Sequence, residues 1–218
     1  MLLVPARIVL AATIALAAVP VVAEPAASRP PAAVTALAFV QDGLPVDAPQ
    51  EGLVVTIDVS KNKLYLFRDG TRVVETAVAT GSDKILRKGT RTWWFRTPRG
   101  LHTVQGRIKD PVWRKPDWAF IEEGKKVPPG NSPLRLEKGP MGKYALDLGG
   151  GILIHGTDQP ASLGKKASHG CIRVASRPLQ TLWKHVTVGT PVYVFESERN
   201  AALGKSTGLN DLELMLEE

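Results

Sequence analysis

The sequence predicts a mainly β domain, sandwich- or barrel-like, with one or a few short helices. Three observations predict it. Short runs of β-branched, aromatic and alternating apolar residues recur at 53–59, 63–68, 71–80, 91–96, 101–108, 144–148, 152–155 and 191–195. Between them the chain is punctuated by many of its 20 glycines and 17 prolines, residues that favour turns over long helices. One stretch has a clear helical period, with Leu179, Leu182, Trp183 and Val186 at helical spacing.

Taken in order, residues 1–23 begin with a single positive charge, Arg7, continue as an uncharged run over 8–22, and end in Val21-Val22-Ala23. This is the pattern of an export signal cleaved after Ala23, with an uncleaved anchor as the alternative. The run is short for a spanning helix and contains Pro20. Nothing later is apolar enough to span a bilayer, so no stable membrane span is expected after cleavage. The expected compartment is the periplasm or the cell exterior. Residues 24–50 are rich in Ala, Pro and Val without periodicity and read as a linker. The folded domain is expected over 51–196. Within it, Asp69-Gly70 marks a tight turn between two strands. Ser176 is a candidate N-cap, Pro178 falls in the first helical turn, and Gly189 is a candidate stop. Residues 110–142 carry Trp113, Trp118 and Phe120 among Pro and Gly and read either as a lid or as a packed irregular connection. The tail, 197–218, is acidic at its end and is assigned no function.

The formal charge is +7, and it is unevenly spread: ten Lys or Arg lie between Lys84 and Lys115 against Asp110 as the one acid. A basic face attracts an anionic polymer. Export argues against nucleic acid and for an acidic cell-wall polymer, with a merely solvated surface as the alternative.

The chain has one cysteine, Cys171, within Ser168-His169-Gly170-Cys171-Ile172-Arg173. A lone cysteine forms no intramolecular disulfide, and an exported chain keeps an unpaired thiol at risk of oxidation. Burial as a small apolar side chain is one reading, and use as a nucleophile is the other. The apolar run Ile152-Leu153-Ile154 ends at His155-Gly156-Thr157, which would bring an imidazole out where a buried strand reaches the surface. His155 is the candidate base for Cys171, with its ring oriented by a backbone carbonyl such as that of Gly156. In an extended segment His169 and Cys171 share a face. Gly170 lets a carbonyl approach, so the amides of Gly170 and Cys171 are candidate oxyanion donors. Arg173 could bind a carboxylate by its planar fork, or form a surface ion pair. Zinc is the rival chemistry for His155, His169 and Cys171. The paired close spacings of zinc sites are absent, and His102 or His185 would have to complete the set. No metal and no other cofactor is expected.

These motifs resemble a known family. His155-Gly156-Thr157, Gly164 and Ser168-His169-Gly170-Cys171-Ile172-Arg173 are similar to the signature of the L,D-transpeptidase catalytic domain, also called the YkuD domain. The similarity runs on through Thr97-Pro98-Arg99-Gly100, Ile108-Lys109-Asp110-Pro111-Val112-Trp113 and Gly139-Pro140-Met141-Gly142, covering roughly residues 53–195, and is nearest to periplasmic Gram-negative members. The resemblance implies a β-rich fold with the cysteine in a cleft, and peptidoglycan stem peptides as substrate. Cys171 would attack the carbonyl of the third stem residue, usually diaminopimelate, and release the terminal D-alanine of a tetrapeptide. His155 would be the base, His169, Gly170 and Gly156 would shape the site, and Ser168 and Arg173 would contact substrate. The acyl acceptor would be the amine of another stem, giving a 3→3 cross-link, or a lysine of an outer-membrane lipoprotein. Water as acceptor would make the chain a carboxypeptidase or hydrolase, and a non-catalytic wall-binding protein is the remaining alternative. Many family members have Asn where Arg173 stands, which leaves the role of that residue open.

Overall fold

The computed structural model describes residues 39–197. The export signal expected at 1–23, the first part of the linker expected at 24–50, and all of the expected tail except Ser197 lie outside the described residues. In chain order the strands are β1 (Phe39–Gln41), β2 (Leu44–Pro45), β3 (Leu53–Asp58), β4 (Lys63–Arg68), β5 (Thr71–Gly81), β6 (Ile85–Lys88), β7 (Arg91–Trp94), β8 (Gly100–Thr103), β9 (Gly106–Lys109), β10 (Val112–Arg114), β11 (Leu136–Lys138), β12 (Tyr144–Asp147), β13 (Leu153–His155), β14 (Lys166–Ser168), β15 (Ile172–Val174) and β16 (Pro191–Phe195). Two α-helices, α1 (Asp117–Glu122) and α2 (Ser176–His185), complete the regular structure with two short 3₁₀ turns.

Ten strands form one sheet in the order β8-β16-β3-β4-β5-β15-β13-β12-β9, with β14 pairing with β5 off that path. The edge strands β8 and β9 are consecutive in the chain, joined through Val104 and Gln105. Nine strands laid flat would separate those edges by about 38 Å, whereas the connection reaches about 11 Å. The sheet therefore curls until its edges nearly meet, as the barrel-like expectation required. Val104 N–H donates to the Thr190 carbonyl (3.0 Å) and Gln105 N–H to the Asp147 carbonyl (2.7 Å), tying the crossing to both sides. The single strand expected over 101–108 is thus two strands at opposite edges. Its alternating pattern continues across the crossing because Val104 is itself buried in the core.

Strand faces follow the two-residue period. Val55 and Ile57 of β3 and Leu64 and Leu66 of β4 point into the main core with Ile154, Ile172 and Val174. Leu179 and Leu182 of α2 fill that core from within the curl. Val54, Tyr65 and Phe67 point the other way, into a second cluster closed by Leu44 and Ala48. Leu44 is 0% exposed and the Thr56 hydroxyl donates to the Gly43 carbonyl at 2.5 Å. Residues 43–50 therefore pack against the domain, within the stretch 24–50 expected as linker. A composition of Ala, Pro and Val hid the two-residue strand that carries Leu44.

Asp69 and Gly70 both adopt positive φ, 48° and 72°, as the expected tight turn between β4 and β5 requires. The helix begins at Ser176 itself, with Ala175 at the cap position and no side-chain cap, and it ends at His185 before Gly189 is reached. Among the described residues no helix is long and apolar enough to cross a membrane.

Candidate active site

Strands β13 and β15 run parallel, with Ile154 beside Ile172 and His155 beside Arg173. Ile154 and Ile172 are wholly buried in the core. By alternation Leu153, His155, Cys171 and Arg173 project from the opposite face. Two apolar anchors thus fix a sulfur, an imidazole and a guanidinium on one patch of sheet. His155 stands one strand over and two residues along from Cys171, a diagonal of about 8 Å between backbones that the two side chains shorten. All three polar groups line a cleft of about 900 Å³.

The Cys171 thiol is half-buried. Its sulfur accepts from the Leu153 N–H at 3.4 Å and faces the Gly151 carbonyl at 3.6 Å. Burial pushes the thiol up, and the Leu153 amide opposes that by favouring the thiolate. His155 is 7% exposed. Its Nδ1 lies 2.6 Å from the Gly156 carbonyl, an acceptor, so Nδ1 carries the hydrogen and Nε2 keeps a free lone pair. Burial pulls this imidazole down to about 4, with the Gly156 hydrogen bond opposing. Both groups therefore rest neutral, as thiol and imidazole. The Gly156 carbonyl is thus the hydrogen-bond partner that fixes the ring's orientation.

Gly156 is placed by a close approach to another glycine. A Cβ on it would lie 3.0 Å from both Gly142 Cα and the Met141 carbonyl. The Gly139-Pro140-Met141-Gly142 motif thus packs backbone to backbone against His155-Gly156-Thr157.

The loop before Cys171 is held from three sides. Gly170 has φ 128°, and a Cβ there would meet the Arg96 carbonyl oxygen at 3.1 Å. The Thr97 hydroxyl donates to the Gly170 carbonyl at 2.8 Å and accepts the Gly81 N–H at 2.9 Å. Ser168 Oγ accepts the Gly170 N–H at 3.1 Å and donates to the Cys171 carbonyl at 2.5 Å. Two sequence expectations change here. The Ser168 hydroxyl, expected on substrate, is committed inside the loop with the residue 2% exposed. The Gly170 amide, expected as an oxyanion donor, is taken by Ser168. Thr97 was visible in sequence as part of a motif without a role, since no local pattern announces a bond that spans 73 residues.

His169 lines the same cleft as His155 and Cys171, but its partners belong to the cleft wall. Its ring stacks on Trp118 at 3.9 Å, meets Phe95 edge-on at 4.4 Å, and its Nε2 lies 2.7 Å from Glu122. Burial lowers its pKa, and Glu122 pulls the other way. Trp118 and Glu122 belong to α1, so His169 joins the cysteine loop to the 110–142 segment. That segment is ordered: β10 pairs with β11, Phe120 is buried, and the Arg135 guanidinium donates to the carbonyls of Pro128, Pro129 and Lys115 and to Asp117. It forms the cleft wall with Trp113, Trp118 and Met141. Phe120 packs into the interior, while Trp113 and Trp118 are half-buried at the cleft. Arg173 donates to Gln159 Oε1 at 3.1 Å and faces the cleft rather than forming a surface ion pair. His102 meets the Pro98 carbonyl and His185 meets Arg68, both away from the cysteine. Among the described residues no group of three or more His, Cys, Asp or Glu is placed to hold a metal.

The geometry agrees with three comparisons. The family model described as YkuD, the L,D-transpeptidase catalytic domain, matches residues 52–194. The probable L,D-transpeptidase ErfK/SrfK of Salmonella typhimurium is 33% identical over 154 residues, 69% of this chain and 46% of the relative. The probable L,D-transpeptidase YcfS of Escherichia coli is 32% identical over 158 residues, with the same two coverages, 69% and 46%. The chain's match thus spans about half the length of these relatives. The crystal structure of an L,D-transpeptidase from Xylanimonas cellulosilytica superposes with a TM-score of 0.52 at 26% identity, covering 69% of this chain and 64% of that one.

Proposed function

The chain belongs to the L,D-transpeptidase catalytic domain family, and on that premise we propose that it is a cysteine acyltransferase of peptidoglycan. In this reading residues 1–23 export it and it works in the periplasm. The donor is a stem tetrapeptide whose third residue is diaminopimelate. Docking of the donor carbonyl at the cleft floor draws the Cys171 S–H from the Gly151 carbonyl toward His155. The proton passes to Nε2 as the sulfur attacks the carbonyl carbon. The Leu153 amide, which already donates to sulfur, eases the change to thiolate. The Cys171 N–H is the backbone donor nearest the developing oxyanion, since the Gly170 amide is engaged. As the tetrahedral adduct collapses, the bond to the D-alanine nitrogen breaks and His155 returns its proton to that amine. A thioester remains on Cys171.

An acceptor amine then gives up a proton to His155, attacks the thioester and restores the thiol. The acceptor is a neighbouring stem or a lysine of an outer-membrane lipoprotein. Arg173, free of any carboxylate partner among the described residues, offers its fork to a carboxylate of the donor. Gly156 and His169 act indirectly, the first by orienting the imidazole and the second by bracing the cleft wall.

One observation carries this reading: Cys171 and an oriented His155 share the cleft face of paired strands. The experiment is to incubate the protein with disaccharide-tetrapeptide and follow D-alanine release, the acyl adduct on Cys171 and dimer formation by mass spectrometry. Identical behaviour of wild type and Cys171→Ala refutes the reading. Tripeptide without dimer assigns water as the acceptor and makes the chain a hydrolase on the same bond.

A further inference from the structure

The hairpin of β6 and β7 stands outside the main sheet as a two-stranded unit. Its register pairs Ile85 with Trp94 and Arg87 with Thr92 on one face, and Leu86 with Trp93 and Lys88 with Arg91 on the other. The second face turns toward α1, where Arg91 pairs with Asp117. The first is bare: Trp94 is 54% exposed and Ile85 46%. Ile85 and Trp94, paired across the two strands, put two large apolar side chains side by side in water, a candidate interaction surface.

The charges around this face are of one sign. Arg87 lies on it, the Arg96 guanidinium sits over the Trp94 ring at 3.9 Å, and Lys84 precedes its first strand. Among the described residues these three cations make no ion pair, although Asp83 nearby is paired with Lys166. The face is continuous with the site described above. Phe95, next after β7, packs on His169 and Trp118. The Arg96 carbonyl abuts Gly170, and Lys84 lies near enough to His169 to disfavour its charged form.

We propose that the outer face of this hairpin, Ile85, Arg87 and Trp94 with Arg96, is a second binding surface that holds the glycan strand of the polymer whose stem peptide enters the cleft. This rests on the peptidoglycan reading. A sugar ring presents C–H bonds that pack on the negative face of an indole, and the carboxylates of neighbouring stems meet the unpaired guanidinium and ammonium groups. A flat aromatic flanked by unpaired cations is complementary to a glycan whose stems carry carboxylates. The surface gives a role to part of the basic region between Lys84 and Lys115, namely Lys84, Arg87 and Arg96, which do not line the cleft.

The test separates binding from chemistry. The full chain carrying Cys171→Ala is sedimented with purified, undigested sacculi at low and high salt, alone and with Trp94→Ala or Arg87→Glu added. Each addition is expected to weaken sedimentation about tenfold at low salt, and high salt should weaken binding of the parent more than of Arg87→Glu. With Cys171 intact, both variants should turn over soluble disaccharide-tetrapeptide within about twofold of wild type. Unchanged sedimentation of both variants overturns the proposal, and Arg87→Glu decides it should Trp94→Ala fail to fold. Preferential binding of the parent to phosphatidylglycerol vesicles over sacculi also overturns it, assigning the face to a lipid surface. So does a parallel fall in soluble-fragment turnover, which would make the hairpin part of the donor site. Because binding is read without the thiol, failure of the acyl-transfer chemistry leaves this result standing.

Discussion

Thr97→Val removes one oxygen and keeps the shape of the side chain. Thr97 is 1% exposed, and its hydroxyl joins the Gly81 N–H to the Gly170 carbonyl at 2.9 and 2.8 Å. Valine leaves both backbone groups buried without a partner, each costing about 1–3 kcal/mol. The expected loss is about 2–6 kcal/mol, a fall in Tm on the order of 10 °C for a domain of this size. Thr97→Ser keeps the bridge and loses one methyl, about 1 kcal/mol. Urea denaturation followed by tryptophan fluorescence measures both, with a constant slope confirming that stability alone has changed. Because the bridge ends on the residue before Cys171, Thr97→Val should also slow D-alanine release under conditions where it is still folded. A Thr97→Val chain within about 0.5 kcal/mol of wild type, or a Thr97→Ser chain as unstable as Thr97→Val, refutes the assignment of Thr97 as the clamp on the loop.

Burial holds His155 down at about 4, against 6.5 in the open, so the acid limb of kcat/KM should fall near pH 4 rather than 6.5. The same residue sets a stability slope. The unfolded chain takes up the proton below 6.5 and the folded chain does not until about 4, so stability is full above 6.5 and falls by about 3 kcal/mol across that window. His155→Gln should flatten that part of the profile in acid denaturation and slow iodoacetamide alkylation of Cys171 near neutral pH. Gly170→Ala places a Cβ at φ 128° against the Arg96 carbonyl and should cost about 1–3 kcal/mol and most of the activity, as read by thermal melting and product release. Arg173→Gln should raise KM for the tetrapeptide about tenfold with kcat retained, and an equal fall in kcat would deny it a role in ground-state binding.

The residues that were legible in sequence are those whose role is local. The strands 63–68 and 191–195 lie where the alternation put them, because each is paired along its full length. His155 and Gly156 are adjacent, so the orienting bond between them was within reach of a motif. What was hidden is what folding brings from a distance. Glu122 reaches His169 across 47 residues, and its helix is too short to declare a period. Strand β6 was missed because Ile85 to Lys88 sits among cations that mask its pattern, and Leu44 because two residues of strand leave no alternation to read. The split of 101–108 was invisible because the buried Val104 at the crossing looks, in sequence, like one more strand residue.

The hydrogen bonds that hold the Cys171 sulfur at rest have a consequence for durability. A sulfur becomes easy prey for peroxides as it becomes thiolate, and here burial keeps it protonated with its hydrogen turned toward the Gly151 carbonyl. In the proposed mechanism the thiolate is made on demand, when a donor is present to consume it. A chain with a single thiol and no resolving cysteine cannot repair an oxidised site by disulfide exchange within itself. Its protection is a waiting state that is chemically dull, and the same two strands that aim the sulfur at substrate also keep it unspent between turnovers.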